Sequence, residues 1–166
     1  MIETERKFLI RYPDEEFLKK TRGCTIKKIA QTYLVADKGK TRRVRIVECN
    51  GKTTYVFTEK TRISPLSCIE NEREISKAEY DSLLKENDIS KETVFKTRYA
   101  IPYAEHILEI DIYSFWDDFA TLEIELSNEN EQHEIPDYIN VVKEVTADSR
   151  FKNANLAKNH NFNPEN

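Results

Sequence analysis

The chain has 166 residues, of which 39% are hydrophobic and 34% charged, and this composition is typical of a single globular domain. Its formal net charge of -4 and its pI near 5.5 argue against a general nucleic-acid-binding protein. No apolar run approaches the roughly 20 residues of a membrane-spanning helix, and the acidic N-terminus is unlike a signal peptide. We therefore expect neither a nucleic-acid partner nor a membrane partner.

In chain order, the pattern of apolar and polar residues predicts a chain made mainly of strands. The predicted strands are 2–10, 25–35, 41–49, 52–60, 68–75, 93–100, 106–115 and 121–127, with a short extended stretch at 141–146. The predicted helices are 13–22, 76–87 and 148–159. We expect one domain over residues 1–158 and a disordered tail over 159–166.

Two hairpins define pairing between predicted strands. Asn50-Gly51 between β-rich runs is the strongest short-range hairpin signal and implies a two-residue type I′ turn. In that register Arg43 and Arg45 share one face with Lys60. A second hairpin has its turn near Pro102–Glu105. The register we expect there sets Arg98 opposite Glu109 and Lys96 opposite Asp111.

Several chemistries are excluded by the residues that are scarce. The three cysteines have no CxxC spacing, which argues against a disulfide framework or a zinc site and favours a reducing cytoplasm. The three histidines form no HExxH motif, so a metal here would have carboxylate ligands and would be a hard ion such as Mg²⁺, Mn²⁺ or Ca²⁺. The three glycines form neither a Walker loop nor a GxGxxG motif.

One face of nearly every predicted strand is apolar, while the other face carries charge at every second residue. The charged set is Glu3, Glu5, Lys7, Arg43, Arg45, Lys60, Glu70, Glu72, Glu74, Lys96, Arg98, Glu109, Asp111, Glu123 and Glu125. A one-sided antiparallel sheet with its polar face in water would show a similar alternation. Like charges on adjacent positions of one face repel, however, so stability alone does not favour them.

A ligand that carries both signs of charge would explain this pattern. Carboxylates bind divalent metals, and Arg and Lys bind phosphate. Eight strands can close into a barrel with these charges inside and with helices over the apolar outside. The fold class that we predict is therefore α+β, mainly β: an eight-stranded antiparallel barrel that forms a charged tunnel, with flanking helices.

The motif Glu3-Thr4-Glu5-Arg6-Lys7 has the Glu-x-Glu-x-Lys signature of CYTH domains, the triphosphate tunnel metalloenzymes. The chain resembles this family over nearly its whole length. Further matches follow in the family's order: Arg43-Val44-Arg45, Lys60, Glu72-Arg73-Glu74, Lys96-Thr97-Arg98, Glu109-Ile110-Asp111, Glu123-Ile124-Glu125 and 146–152. The opening motif alone is weak, but the ordered set is specific. The resemblance implies hydrolysis, or more rarely cyclisation, of a triphosphate with Mg²⁺ or Mn²⁺, with two ions during turnover.

The resemblance also implies roles for the charged residues. The phosphate-binding set would be Lys7, Arg43, Arg45, Lys60, Lys96, Arg98, Arg150 and Lys152. The metal-binding set would be Glu3, Glu5, Glu123 and Glu125, with Glu72, Glu74, Glu109 and Asp111 close by. The groups nearest the chemistry would be Glu5, Lys7, Glu123, Glu125 and Lys152.

The favoured function is metal-dependent hydrolysis of inorganic triphosphate. Class IV-type adenylate cyclisation, thiamine or nucleoside triphosphate hydrolysis, and non-catalytic polyphosphate binding remain open, because no residue that would contact a base can be assigned. We expect the large aromatic residues Tyr33, Tyr55, Phe57 and Trp116 to pack outside the barrel. A homodimer is a further expectation from the family.

Overall fold

The computed structural model describes residues 1–166 and is built mainly from antiparallel strands. The strands are β1 (Ile2–Arg11), β2 (Thr25–Leu34), β3 (Lys40–Cys49), β4 (Lys52–Arg62), β5 (Ser67–Ile75), β6 (Val94–Tyr103), β7 (His106–Tyr113), β8 (Phe119–Leu126) and β9 (Val141–Glu144). The helices are α1 (Glu15–Lys20), α2 (Lys77–Leu83) and α3 (Asn153–Leu156), with 3₁₀ turns at Leu84–Glu86 and Ser149–Phe151. No helix is both long and apolar enough to cross a membrane.

Eight of the strands close on themselves. Neighbouring strands follow the order β5-β4-β3-β2-β6-β7-β8-β1, and pairing of β1 with β5 completes the ring. The predicted eight-stranded antiparallel barrel is therefore confirmed. The ninth strand, β9, pairs with the second half of β1, beyond the point where the pairing with β5 ends. The first strand consequently has three partners: β8 along one edge, and β5 then β9 along the other.

The β3–β4 hairpin has the predicted turn and register. Asn50 and Gly51 have φ of 51° and 76°, as a type I′ turn requires, and Cys49 lies opposite Lys52. Because side chains alternate along each strand, Arg43 and Arg45 face the inside of the barrel.

The predicted register of the β6–β7 hairpin is wrong by two residues. Arg98 lies opposite Asp111, not Glu109, because Ala104 and Glu105 form a tight two-residue turn that places Tyr103 opposite His106. Both turn residues have positive φ, 45° and 68°, which the longer loop expected from sequence did not require. A shift of two residues leaves every side chain on its predicted face.

Short helices cover the outer faces of the barrel. Leu18 of α1 and Ile139 are buried against the outward side chains of β1, β6, β7 and β8. On the opposite side, α2 packs Tyr80 against Tyr55 of β4, with ring centroids 5.1 Å apart. The Ser76 hydroxyl accepts a hydrogen bond from the Glu79 backbone N–H at the start of α2, as its capping sequence predicts.

Residues 149–157 close one end of the barrel, and we call this segment the C-terminal plug. Its Phe151 and Leu156 are fully buried among inward-facing apolar side chains that include Leu9 and Tyr33. The predicted helix over 148–159 is broken, because Lys152 is extended (φ -66°, ψ 136°) between a 3₁₀ turn and α3. In the segment after the plug, the backbone carbonyl of Phe162 accepts a hydrogen bond from the Trp116 indole. The domain boundary and the disordered tail stay predictions.

Candidate active site

The barrel encloses a cavity of about 560 Å³, which is within the usual size range of ligand-binding pockets. Alternation along the strands directs one side of each strand into this cavity. The sequence-predicted site residues that line it are Glu3, Glu5, Lys7, Arg43, Arg45, Lys60, Glu72, Arg98, Glu109, Glu123, Glu125 and Lys152. The fold therefore brings together twelve of the predicted side chains, from seven strands and the C-terminal plug.

Four predicted site residues lie elsewhere. Lys96 and Asp111 have completely buried side chains and pair with each other at 2.7 Å within the barrel wall. Glu74 is exposed near the end of β5. Arg150 lies outside the cavity, with its guanidinium 2.6 Å from Asp148. Alternation alone could not separate these residues from the lining set, because it assigns a face but not a depth along the barrel.

A balanced charge network lies deep in the cavity. Lys7 is 3.1 Å from Glu123, and Arg98 binds Asp111 and Glu109 at 2.7 and 2.6 Å. Burial opposes ionisation of Glu123, yet Lys7 and Arg98 hold its pKa down to about 2. Each of these charges already has a partner of opposite sign, so the network can form without a ligand.

A second network lines the β4–β5 side of the cavity. The Lys60 ammonium lies between Glu3 and Glu70, at 2.5 and 2.7 Å. Arg45 donates to Glu72 at 2.7 Å, which also accepts from the hydroxyl of Thr58. Burial and the neighbouring Arg43 lower the pKa of Arg45 to about 10. This depression shows that positive charge is crowded on β3.

Other charges in the same cavity have no partner of opposite sign. Arg43, Glu5, Glu125 and Lys152 form no salt bridge. The Nε atoms of Arg43 and Arg45 are buried without any hydrogen-bond acceptor. Of the four residues, Glu125 is exposed and Lys152 is half-buried, whereas Arg43 and Glu5 lie deeper in the cavity. A buried charge without a salt bridge is costly, and folding alone gives no reason to leave Arg43 and Glu5 without one.

Carboxylates also face one another across the strands. Glu5 lies directly opposite Glu125, and Glu109 directly opposite Glu123. Burial and then the charge of Glu123 raise the pKa of Glu5 to about 7. Burial and then Glu3 also raise the pKa of Glu125. Like charges directly opposite are unfavourable in a sheet, and a cation between them would remove the repulsion.

The donor set fits a hard divalent ion that shares its coordination with a ligand. No three Asp, Glu, His or Cys side chains stand close enough together to form a complete protein cage for a metal. Mg²⁺ is usually held by one or two carboxylates, with water and substrate phosphates as its other ligands. Glu5 and Glu125 supply such a pair of carboxylates in the cavity that Arg43 also lines.

Sequence reasoning missed several residues of the cavity. Tyr33 faces inward, although we expected it outside the barrel. It lies two and four residues from Gln31 and Ile29 on β2, and this alternation places all three on the inward face. Glu70 and Arg62 also line the cavity and continue the alternation of their strands. The contribution of Asn153 had no local signal, because it depends on where the C-terminal plug docks.

A second concavity of about 710 Å³ lies on the outer side of the barrel and is chemically different. Its lining includes eight hydrophobic residues among fifteen. Its acidic side chains, Glu15, Glu48 and Asp117, outnumber its one accessible basic side chain, Lys28, because the side chain of Lys96 is buried against Asp111. A polyanion would therefore favour the inside of the barrel, where Arg and Lys converge.

Taken together, the closed barrel and its ionic interior define an enzyme-like tunnel whose inner face carries both basic and acidic side chains. A relative from Acetivibrio thermocellus described as an inorganic triphosphatase is 34% identical over 130 residues, 78% of this chain and 79% of the relative. The chain therefore belongs to the family of inorganic triphosphatases, within the CYTH or triphosphate tunnel group that its motifs resemble.

Solved structures agree with this assignment. The crystal structure of the inorganic triphosphatase NE1496 matches with a TM-score of 0.58 and 25% identity, over 94% of both chains. An adenylate-cyclase-like protein from Bacillus halodurans matches with a TM-score of 0.52 and 20% identity, over 76% of this chain and 81% of that one, and this likeness concerns the fold alone. A scan against protein-family models found no match.

Proposed function

We propose that this protein hydrolyses inorganic triphosphate to phosphate and pyrophosphate inside the tunnel, with Mg²⁺ or Mn²⁺ as cofactor. The observation that carries the proposal is the set of unpaired charges of both signs in one cavity. Arg43 and Lys152 lack an anion, while Glu5 and Glu125 lack a cation. A metal–triphosphate complex supplies both, whereas a metal or a phosphate alone supplies only one.

The basic residues hold and orient the triphosphate. Arg43 and Arg45 on β3 offer planar guanidinium donors, which match phosphate oxygens in a bidentate geometry. Other strands and the plug contribute further basic side chains, which surround the triphosphate and offset its negative charge: Lys7, Lys60, Arg98 and Lys152. Phosphoryl transfer depends mainly on such positioning and charge stabilisation, so the reaction needs no covalent nucleophile from the protein.

The acidic residues hold the cation and accept protons. Glu5 and Glu125 are the first candidates for metal ligands, and Glu3 and Glu123 become available when the phosphate takes over their partners Lys60 and Lys7. Glu72 and Glu109 border the same cavity and would add negative charge that favours a cation there. When bound, the metal lowers the pKa of a water molecule and neutralises phosphate oxygens. We propose two ions during turnover, with a carboxylate of this set that is not bound to a metal receiving the proton of the attacking water.

The relatives support the same substrate. The 34% identical relative and the solved structure of NE1496 both carry the description inorganic triphosphatase. Triphosphatases of this family are generally metal-dependent. All three cysteines are free thiols, which suits the cytoplasmic location that we propose.

The test is a substrate panel with product identification. The protein is incubated with Mg²⁺ or Mn²⁺ against inorganic triphosphate, ATP and thiamine triphosphate, and phosphate, pyrophosphate and cyclic AMP are measured. We expect the highest kcat/KM for inorganic triphosphate, and EDTA to abolish turnover. Pyrophosphate with cyclic AMP from ATP would reassign the protein as a cyclase. Binding of triphosphate without turnover of any substrate would make it a polyphosphate-binding module.

A further inference from the structure

A buried tyrosine holds the C-terminal plug from inside the barrel. Tyr113 lies on β7 and is 1% exposed. Its hydroxyl donates a hydrogen bond of 2.5 Å to Oδ1 of Asn153, the first residue of α3. The hydroxyl of Thr121 on β8 donates to the Tyr113 oxygen at 3.4 Å. A polar tether therefore links two barrel strands to the plug through a buried side chain that packs against aromatic rings on one side and lies near Lys96 and Lys7 on the other.

The position of the Tyr113 hydroxyl is fixed by its surroundings. Its ring stacks on Phe115, with centroids 5.0 Å apart, and meets Trp116 edge-on at 5.4 Å. Burial raises the pKa of Tyr113 far above its ordinary value, so the hydroxyl stays protonated and remains a donor. Such a group, rigid and locked into one rotamer, can define the location of its partner.

Asn153 in turn sets the position of the preceding residue, Lys152. Lys152 makes no salt bridge, and its side chain lies in the cavity with Glu5 and Lys7. Its direction therefore depends on its backbone, which is extended at the junction between the 3₁₀ turn and α3. The carbonyl of Lys152 accepts from the Leu156 amide at 2.9 Å, so the backbone of Lys152 is part of the first turn of α3.

We propose that Tyr113 and Asn153 are positioning residues that aim the Lys152 ammonium at the bound triphosphate. The role in turnover rests on the proposed function, whereas the tether itself does not. No other hydrogen bond joins a barrel side chain to the side chain of a residue in the plug. Without the tether, α3 keeps its apolar contacts but loses the contact that sets the rotation of its first turn, and Lys152 moves with that turn.

The first experiment tests the tether without reference to activity. Tyr113→Phe removes only the hydroxyl, and amide hydrogen exchange is followed at Leu156 and Ala157, whose amides bond to Lys152 and Asn153. We expect exchange about tenfold faster than in the wild type. The matched control is Tyr99→Phe, since Tyr99 is equally buried but its hydroxyl donates to Glu15 outside the barrel. Equal exchange rates in the wild type and both variants would overturn the tether.

The second experiment asks whether the tether acts through Lys152. We expect Tyr113→Phe to lower kcat/KM for inorganic triphosphate about tenfold. The change should appear in kcat or in KM, whichever of the two Lys152→Met alters. In the Lys152→Met background, Tyr113→Phe should change kcat/KM less than twofold. Asn153→Ala should repeat both results, and Tyr99→Phe neither.

The outcomes separate this inference from the proposed function. Tyr113 also lies near Lys7, so an undiminished tenfold fall in the Lys152→Met background would mean that Tyr113 acts through Lys7 and would overturn the positioning role. Faster exchange with unchanged kcat/KM would likewise refute it, while leaving the triphosphatase intact. Absence of turnover in the wild type would refute the proposed function, and the exchange experiment would still decide the tether.

Discussion

Glu5 should cost the metal-free protein stability, so Glu5→Gln should stabilise the fold while it abolishes turnover. The carboxylate is buried, has no salt bridge and lies opposite Glu125. Its neighbour on the adjoining strand, Glu123, is also buried but is paired with Lys7 at 3.1 Å. The two glutamates therefore provide opposite controls within one site: removing the charge of Glu5 relieves repulsion, whereas removing that of Glu123 leaves Lys7 without its partner.

The size of the effect follows from the pKa values. Burial and Glu123 raise the pKa of Glu5 from 4.5 to about 7, which corresponds to a penalty of about 3 kcal/mol when both states are ionised. In the range between these values only the unfolded chain is ionised, so this group lowers stability progressively from about pH 4.5 to 7 and by a constant amount above pH 7. For Glu123 the pKa is instead lowered to about 2, so its stabilisation is full above about pH 4.5 and is lost as the pH falls towards 2.

The assay is urea unfolding in EDTA at pH 5 and pH 8 for the wild type and both variants. At pH 8, Glu5→Gln should raise the free energy of unfolding by up to about 3 kcal/mol, and Glu123→Gln should lower it by a similar amount. At pH 5 the gain from Glu5→Gln should fall to about 1 kcal/mol, because the unfolded chain is only partly more ionised than the folded one. A gain of equal size at both pH values, or a loss at pH 8, would refute the assignment of Glu5 as an unpaired buried carboxylate.

Three further predictions concern other features. Arg43→Met should weaken binding of triphosphate about 10- to 100-fold in isothermal titration, because its guanidinium forms no salt bridge within the protein and is free to bind phosphate; binding within about threefold of the wild type would contradict this. Arg150→Ala should keep kcat/KM within twofold of the wild type, whereas Lys152→Ala should lower it at least tenfold, since only Lys152 lines the cavity; equal losses would return Arg150 to the substrate-binding set. Glu105→Gly should raise the free energy of unfolding by about 1 kcal/mol in urea titration without changing turnover, because Glu105 has a positive φ of 68°.

The barrel and its charged interior could be predicted because both depend on local rules. Alternation assigned Glu3, Glu5 and Lys7 to one face, and the two-residue turn at Asn50–Gly51 set the pairing of β3 with β4. Turn chemistry failed only where no turn signal is present in the sequence, at Ala104 and Glu105, which both adopt a positive φ without being Gly or Asn.

The depth of each side chain in the barrel and the charge with which it pairs could not be predicted, because both depend on contacts between distant parts of the chain. Alternation places Lys96 with Arg98, yet Lys96 is withdrawn into the wall by Asp111, while Arg98 reaches the cavity. The motif after residue 146 predicted one helix, but an extended Lys152 divides it, because Phe151 and Leu156 must both reach the interior of the barrel. The particular roles of the site residues stay predictions until the variants are measured.

The three partners of β1 have a consequence for how the protein is made. This strand carries the opening carboxylates and leaves the ribosome well before its partners β5, β8 and β9, with β9 ending at Glu144. Pairings across so much of the chain close slowly, because the entropy of a large loop must be lost first. During synthesis β1 therefore waits with unpaired backbone edges, and its alternating charges, Glu3, Glu5 and Lys7, oppose edge-to-edge association with other nascent chains. The same side chains that would later hold metal and phosphate thus protect the strand before the barrel exists.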